Sequence, residues 1–180
     1  MDKDLKFFID KQFDEHSKVV SNCKINLQDA FIRVTRICLN SLKKKKKILF
    51  FGNGGSAADA QHLATELTVR FSKNRKAIRA LSLATDTSAL TAIGNDLGFD
   101  FLFSRQIVAL GQRGDVALGI STSGRSNNVI NGIKTAKKIG LKCIVFTGKN
   151  ISPLKNFCDE IISIPAKNTS RIQEMHIMIG

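Results

Sequence analysis

Residues 47–70 read KILFFGNGGSAADAQHLATELTVR, an apolar run that meets a glycine-rich corner and continues as a helix-forming segment. Residues 48–51 have the length and apolar character of a buried β-strand, and the three glycines of residues 52–55 permit a tight backbone turn. Ser56 is predicted to cap a helix over residues 57–69. The first N–H groups of that helix would point into the corner, where they suit a phosphate or a carboxylate. The stretch therefore predicts an anion-binding corner between a strand and a helix.

The same predicted helix carries a histidine and a carboxylate on one face. His62 and Glu66 are four residues apart and therefore project from the helix one turn from each other. Two such side chains can share a divalent metal or an acid/base task, or they can form an ordinary exposed helix pair. The anion-binding corner one to two turns upstream favours a functional role.

Around this centre, helices and strands alternate along the chain. Amphipathic helices are predicted at residues 2–18 and 25–42, ahead of the first strand. Later segments comprise a short apolar stretch at 77–83, helices at 88–93 and 99–110, a strand at 115–121, a helix from about 127 to a stop at Gly140, strands at 142–147 and 160–164, and a helix from about 169. This order predicts an α/β fold with a doubly wound parallel sheet covered on both faces. We expect one domain over residues 1–180, with a helical pair at 1–45 that covers the sheet or supplies an oligomer interface, and an α/β core at 46–180.

A second polar loop follows the strand at 115–121. Its sequence STSGRS places the hydroxyls of Ser121, Thr122, Ser123 and Ser126 around one glycine, directly before a helix. Ligands of doubly wound sheets bind beyond the carboxyl ends of the strands, so this loop suits a phosphate monoester, although a serine-rich turn with ordinary caps has the same composition. Neither loop has the P-loop or the dinucleotide-binding pattern, which disfavours a nucleotide cofactor.

A third polar cluster, Gly94-Asn95-Asp96, follows the short helix predicted at 88–93. Asn95 and Asp96 are both good N-cap residues, so they could cap the next helix. They could equally reach the hydroxyls of a sugar.

Composition limits the class of protein. The 180 residues are 43% apolar without a run of 18 apolar residues, and the charged N-terminal segment lacks the apolar centre of a signal peptide, so we expect a cytoplasmic protein without a membrane partner. The formal net charge is +13, but its densest run, residues 43–47, falls in a predicted turn without interleaved aromatic residues. A solvated loop is therefore favoured over a nucleic-acid site.

The four cysteines are widely spaced and form no CxxC pair: Cys23, Cys38, Cys143 and Cys158. This spacing predicts neither a zinc knuckle nor a redox motif. We expect free, mostly buried thiols.

Four segments in matching order resemble the sugar isomerase (SIS) domain, and within it the phosphoheptose isomerases: FGNGGSAADAQHLATEL at 51–67, IGND at 93–96, STSGRSNNV at 121–129 and RIQEMHI at 171–177. The resemblance covers nearly the whole chain, including the two leading helices. It implies a flavodoxin-like three-layer sandwich and an isomerase that converts sedoheptulose 7-phosphate to D-glycero-D-manno-heptose 7-phosphate, for bacterial lipopolysaccharide or capsule. It also implies a homotetramer with shared active sites and one zinc ion per subunit.

The resemblance also implies roles for individual residues. The phosphate would be held by Ser121, Thr122, Ser123 and Ser126, with help from Ser56. The sugar would be contacted by Asn53, Gly54, Gly55, Asn95 and Asp96. Zinc would be bound by His62, Glu66 and Gln173, with Glu66 also placed as the acid/base, although a carboxylate bound tightly to zinc is a poorer base.

The chain departs from the family pattern at its last residues. In the family a histidine follows this glutamine by eight residues and serves as zinc ligand and partner acid/base; that position here would be 181, whereas the sequence stops at Gly180. We therefore expect the last helix to be incomplete. His176 lies three residues from Gln173 and could replace that histidine, although it matches a different position of the family.

Two other functions fit the resemblance. One is a non-catalytic SIS protein that binds a partner of the replication-initiator type, and the other is a sugar-phosphate sensor that binds nucleic acid. Against the first, a pure interaction module has no need of His62, Glu66 and Gln173 beside a phosphate loop. Against the second, we identify no helix-turn-helix segment.

Overall fold

A computed structural model describes residues 2–180 and shows a parallel sheet between two layers of helices. The strands are β1 (Ile48–Gly52), β2 (Ala80–Ser82), β3 (Val116–Ser121), β4 (Lys142–Thr147) and β5 (Glu160–Ser163). The helices are α1 (Asp2–Asn26), α2 (Gln28–Lys43), α3 (Gly55–Thr68), α4 (Thr87–Asp96), α5 (Leu102–Leu110), α6 (Asn127–Lys138) and α7 (Thr169–Ile179), with a 3₁₀ turn at Phe99–Phe101.

The strand order β2-β1-β3-β4-β5, with every neighbouring pair parallel, confirms the predicted doubly wound sheet. Side chains alternate across it. Ile48 and Phe50 pack under α1, α2, α3 and α7, whereas Leu49 and Phe51 pack under α5 and α6. From the central pair β1 and β3 the chain proceeds towards opposite edges of the sheet. Their carboxyl ends therefore form the topological switch point, where such sheets leave a crevice for ligands.

The predicted start of α3 was wrong. The helix begins at Gly55, and its N-cap is Gly54, which has φ +56° and uses no side-chain hydrogen bond. Ser56 lies inside the first turn with its side chain buried against Gly52. Because glycine adopts a positive φ at little cost, the turn closes before a serine cap is needed.

The suggestion that Asn95 and Asp96 cap the next helix was also wrong, because α4 continues through both residues. The side chain of Asp86 accepts a hydrogen bond from the backbone N–H of Ala89 at 3.0 Å, which starts α4 at Thr87. Asn95 and Asp96 therefore end one helix.

The two leading helices differ in how much of their apolar surface is buried in one chain. α2 packs against the sheet, whereas α1 is a single helix through residue 26, longer than predicted. On α1, large apolar side chains remain exposed: Leu5, Phe7, Phe8, Ile9 and Phe13. Within residues 2–180 no helix is long and apolar enough to cross a bilayer.

The lysine run begins at Lys43, the last residue of α2, and residues 44–47 form the predicted turn before β1, where Lys47 pairs with Asp115 at 2.6 Å. The four cysteines are free thiols, as predicted. Burial raises the pKa of both Cys143 and Cys158 to about 12, which leaves their thiols protonated and unreactive at neutral pH.

Candidate active site

Two asparagines join the loops that follow β1 and β3. Asn53 Nδ2 donates to Asn128 Oδ1 at 2.8 Å, and Asn128 Nδ2 donates to Asn53 Oδ1 at 2.9 Å. Asn128 is only 2% exposed and Asn53 is half-buried, so this pair is a partly buried clamp between the glycine corner and the start of α6. Sequence reasoning predicted Asn53 as a substrate contact and missed Asn128, whose signal was an amide at the start of a helix that leaves the neighbouring strand.

The predicted phosphate loop, residues 121–126, is held by contacts on several sides. Ser121 Oγ lies 3.1 Å from Ser126 Oγ, and the N–H of Gly148 donates to the carbonyl of Thr122 at 3.1 Å. Gly124 has φ +63°, and a Cβ at this position would overlap the carbonyl oxygen of Asn150. Only glycine therefore fits here without rearrangement.

The loop carries hydroxyl groups and leads directly into the start of α6. Ser123 is exposed, and its Oγ accepts a hydrogen bond from the N–H of Arg125 at 3.2 Å. Ser126 precedes α6 without making a side-chain cap, so no side chain of the loop takes up the first N–H groups of that helix. This arrangement suits an anion.

The glycine corner before α3 has fewer free donors than the sequence predicted. The N–H groups of Ser56 and Ala57 donate to the carbonyls of Asn53 and Gly54, each at 3.0 Å. The exposed residues of the corner are Gly54 and Gly55. Of the two predicted anion-binding loops, the one before α6 therefore has more free hydrogen-bond donors.

His62 and Glu66 face each other as predicted, with Nε2 and Oε1 3.2 Å apart. Their side chains are 54% and 30% exposed, and both line a cleft of about 360 Å³ between α3 and the end of α7. Arg75 borders the same cleft and donates hydrogen bonds to the carbonyls of Glu66 at 2.6 Å and Leu67 at 2.8 Å. The end of α3 is thereby fixed in place.

Gln173, on α7, contacts the start of α3 and lies away from this pair. Its amide covers Gly55, where a Cβ would overlap Nε2 of the glutamine, whereas Gly180 lies against Leu63. α7 therefore runs parallel to α3. Gly55 precedes His62 by seven residues, or about 10 Å of helix. Gln173 thus contacts α3 two turns before the His62–Glu66 pair.

The predicted zinc ligands fit this geometry in part. Two ligands of one tetrahedral zinc ion are about 3.4 Å apart, close to the 3.2 Å that separates His62 Nε2 from Glu66 Oε1. The pair therefore fits as two donors. Within residues 2–180, however, no three His, Cys, Asp or Glu side chains converge on one metal position.

The remaining predicted residues lie elsewhere. Asn95 and Asp96 are exposed at the end of α4 and hydrogen bond to each other at 2.8 Å. His176 is fully buried, with its ring centroid 6.0 Å from that of Phe146, and does not line the cleft of His62 and Glu66. Burial lowers the pKa of His176 to about 4. Its ring is therefore neutral at physiological pH.

Comparisons with known proteins agree with this architecture. A family model described as the SIS domain matches residues 12–148. A phosphoheptose isomerase of Nitratiruptor sp. is 51% identical over 172 residues, which cover 96% of this chain and 92% of that protein. The structure of a phosphoheptose isomerase from Neisseria gonorrhoeae has a TM-score of 0.92 at 41% identity, covering 97% of this chain and 94% of the other. That of a phosphoheptose isomerase from Francisella tularensis has a TM-score of 0.91 at 31% identity, covering 95% and 91%.

Proposed function

The chain belongs to the SIS domain family, and within it to the phosphoheptose isomerases, and from this premise we propose how its residues carry out the reaction. It is an aldose–ketose isomerase that converts sedoheptulose 7-phosphate to D-glycero-D-manno-heptose 7-phosphate for heptose biosynthesis. The observation that carries this function is the hydroxyl-lined loop at the switch point, in a chain half identical to phosphoheptose isomerases. Relatives with that identity favour the enzyme over a non-catalytic SIS protein or a sensor.

The loop of residues 121–126 binds the phosphate of the substrate. Ser121, Thr122, Ser123 and Ser126 supply hydroxyls, and the start of α6 adds N–H donors and the positive end of its dipole. The phosphate takes no part in bond making. Held in a rigid loop, it fixes the sugar so that the reacting carbons are presented to Glu66.

Glu66 moves the proton. Conversion of the ketose removes a proton from C1 and returns one to C2, while a hydroxyl proton passes from O1 to O2. Glu66 takes the C1 proton as a base and delivers it to C2 as an acid. The negative charge that develops on the enediolate oxygen requires hydrogen-bond donors nearby. Because Asn53 and the exposed Gly54–Gly55 backbone lie about three helical turns from Glu66 within one chain, we propose that those of a neighbouring copy supply them.

Zinc is the proposed cofactor, with His62 and Glu66 as two of its ligands and Gln173 as a third. When bound, it would supply Lewis-acid polarisation of the sugar oxygens. Because Gln173 contacts α3 two turns before the pair in one chain, we propose that the site is completed between copies of the chain.

The exposed apolar side chains of α1 support a homotetramer with shared active sites, since α1 would bury them against other copies. Light scattering on the purified protein should give four times the mass of one chain, and a mass of one chain would contradict this. We place the reaction in the cytoplasm and expect neither membrane nor nucleic acid as a partner.

Replacement of Glu66 by glutamine tests the mechanism, because it removes the proton-transferring carboxylate and keeps the size. With sedoheptulose 7-phosphate and added zinc, kcat should fall by about 100-fold or more, with KM little changed. Thr65→Ala, on the exposed side of α3, is the matched control and should retain turnover. Equal turnover by wild type and Glu66→Gln would refute the role of Glu66, and inactivity of wild type on this substrate would refute the function.

A further inference from the structure

Asp59 is a buried carboxylate that the mechanism does not use. It lies on α3 with 9% of its surface exposed, and among residues 2–180 its buried Oδ2 has no hydrogen-bond partner. A carboxylate oxygen that is removed from water without a hydrogen bond is costly. Such a group is retained where it gains a partner in the working state of the site.

The spacing of Asp59 places it in the row of residues that faces α7. Gly55, Asp59, His62 and Glu66 are separated by four, three and four residues, so they share one face of α3. Gln173 covers the first member of this row, and the cleft contains the last two. Asp59 therefore lies one helical turn from His62, between the proposed ligands.

His62 has one ring nitrogen available for such a partner. Its Nε2 faces Glu66 Oε1 at 3.2 Å, which leaves Nδ1 for a group on the preceding turn. Burial raises the pKa of Asp59, and the nearby His62 partly offsets this rise, so the two side chains are close enough to interact electrostatically. Histidine ligands of metal ions commonly donate their second N–H to a carboxylate.

We propose that Asp59 is a positioning residue that accepts a hydrogen bond from Nδ1–H of His62 and so leaves the Nε2 lone pair free for a divalent metal ion. This inference deepens the proposed function, since it assumes that His62 belongs to the active site. Asp59 does not itself ligate the ion, in keeping with the lack of a three-ligand cluster within residues 2–180. It fixes the tautomer and orientation of the ligand that does.

The first test reads the tautomer directly. In zinc-loaded protein at pH 8.5, ¹⁵N and ¹H NMR of His62 should show zinc on Nε2 and a hydrogen-bonded proton on Nδ1, and Asp59→Asn should shift the signal of that proton upfield. Asp10→Asn, which removes an exposed carboxylate on α1, is the control and should leave the His62 signals unchanged. A purely structural role of Asp59 would alter the melting temperature without shifting the signal of the Nδ1 proton. Unchanged His62 signals in folded Asp59→Asn protein would overturn the proposal.

The second test is a zinc titration by calorimetry. Asp59→Asn should weaken zinc binding by about 10- to 100-fold. In a His62→Asn background, Asp59→Asn should not weaken zinc binding further, because Asp59 acts through His62. The same weakening of about 10- to 100-fold in that background would overturn the proposal. Neither measurement uses substrate, so failure of the isomerase mechanism, seen as unaltered turnover in Glu66→Gln, is distinguishable from failure of this inference.

Discussion

The phosphate loop and the His62–Glu66 pair differ in how much of their geometry one chain fixes. The loop is closed by the Ser121–Ser126 contact, by Gly124 packed on Asn150 and by a bond to Gly148. The pair has one 3.2 Å contact, and both side chains are partly exposed. The proposed phosphate loop is therefore preorganised within the chain, whereas the proposed catalytic pair is held by a single contact between its two members.

The largest effect should come from Gly124→Val, which disrupts the preorganised loop. The new side chain would overlap the Asn150 carbonyl and would impose strain at φ +63°. We expect kcat/KM for sedoheptulose 7-phosphate to fall by about 100-fold or more, mainly through KM, in steady-state assays.

Gly98→Ala is the matched control, because Gly98 also has a positive φ, +98°, but its Cβ would meet nothing within 4 Å. This variant should keep kcat/KM close to that of wild type. If Gly124→Val behaved the same way, the loop would not be fixed as described.

The stability of the packing beneath the phosphate loop should depend on pH. Thr147 Oγ1 lies 2.8 Å from where a Gly124 Cβ would be, and Thr147 ends the strand against which His176 is buried. The pKa of His176 is about 4 in the folded chain and 6.5 when unfolded, so the unfolded chain binds the proton more readily. The contribution of His176 to the free energy of unfolding is therefore present above pH 6.5, and about 3 kcal/mol of it is lost as the pH drops towards 4.

Urea unfolding between pH 4 and pH 8 measures this loss. Carboxylates also titrate near pH 4, so the quantity of interest is the difference between wild type and His176→Phe, which lacks the titrating ring. Parallel stability curves for the two proteins would contradict the assigned pKa of His176.

The Asn53–Asn128 clamp should contribute somewhat less to the free energy of unfolding than the neutral state of His176 does. Asn128→Ala leaves the Asn53 amide without its partner and should lower the free energy of unfolding by about 2 kcal/mol. A double-mutant cycle with Asn53→Ala should show strong coupling, because both changes remove the same two bonds. Strictly additive effects in denaturant unfolding would mean that the clamp is not energetically shared.

The smallest effect is expected at the exposed pair. In metal-free protein, where Asp59 Oδ2 has no partner in the part of the chain that the structure describes, His62→Gln breaks only the contact with Glu66, and exposed ion pairs contribute little, so the free energy of unfolding should change by less than about 0.5 kcal/mol. Zinc binding by the same variant should nevertheless fall clearly. A large loss of stability would show that the pair is as firmly built into the fold as the loop is.

The sequence predicted the layers of this fold well, because apolar runs of strand length alternate with amphipathic segments and parallel pairing follows from that order. It predicted the loop after β3 and the facing of His62 and Glu66 for equally local reasons. It missed the Asn53–Asn128 clamp and the distance between Gln173 and His62. These depend on which elements become neighbours, and in particular on the sliding position of α7 along α3, which side-chain packing sets.

The contact between Gln173 and Gly55 also bears on how such chains vary. A side chain added at residue 55 would push the Gln173 amide out of the space that it occupies above Gly55. A shorter residue at 173 would open that space, at the expense of a proposed metal ligand. The two positions are therefore coupled: the absence of a side chain at residue 55 sets where the amide of residue 173 can lie.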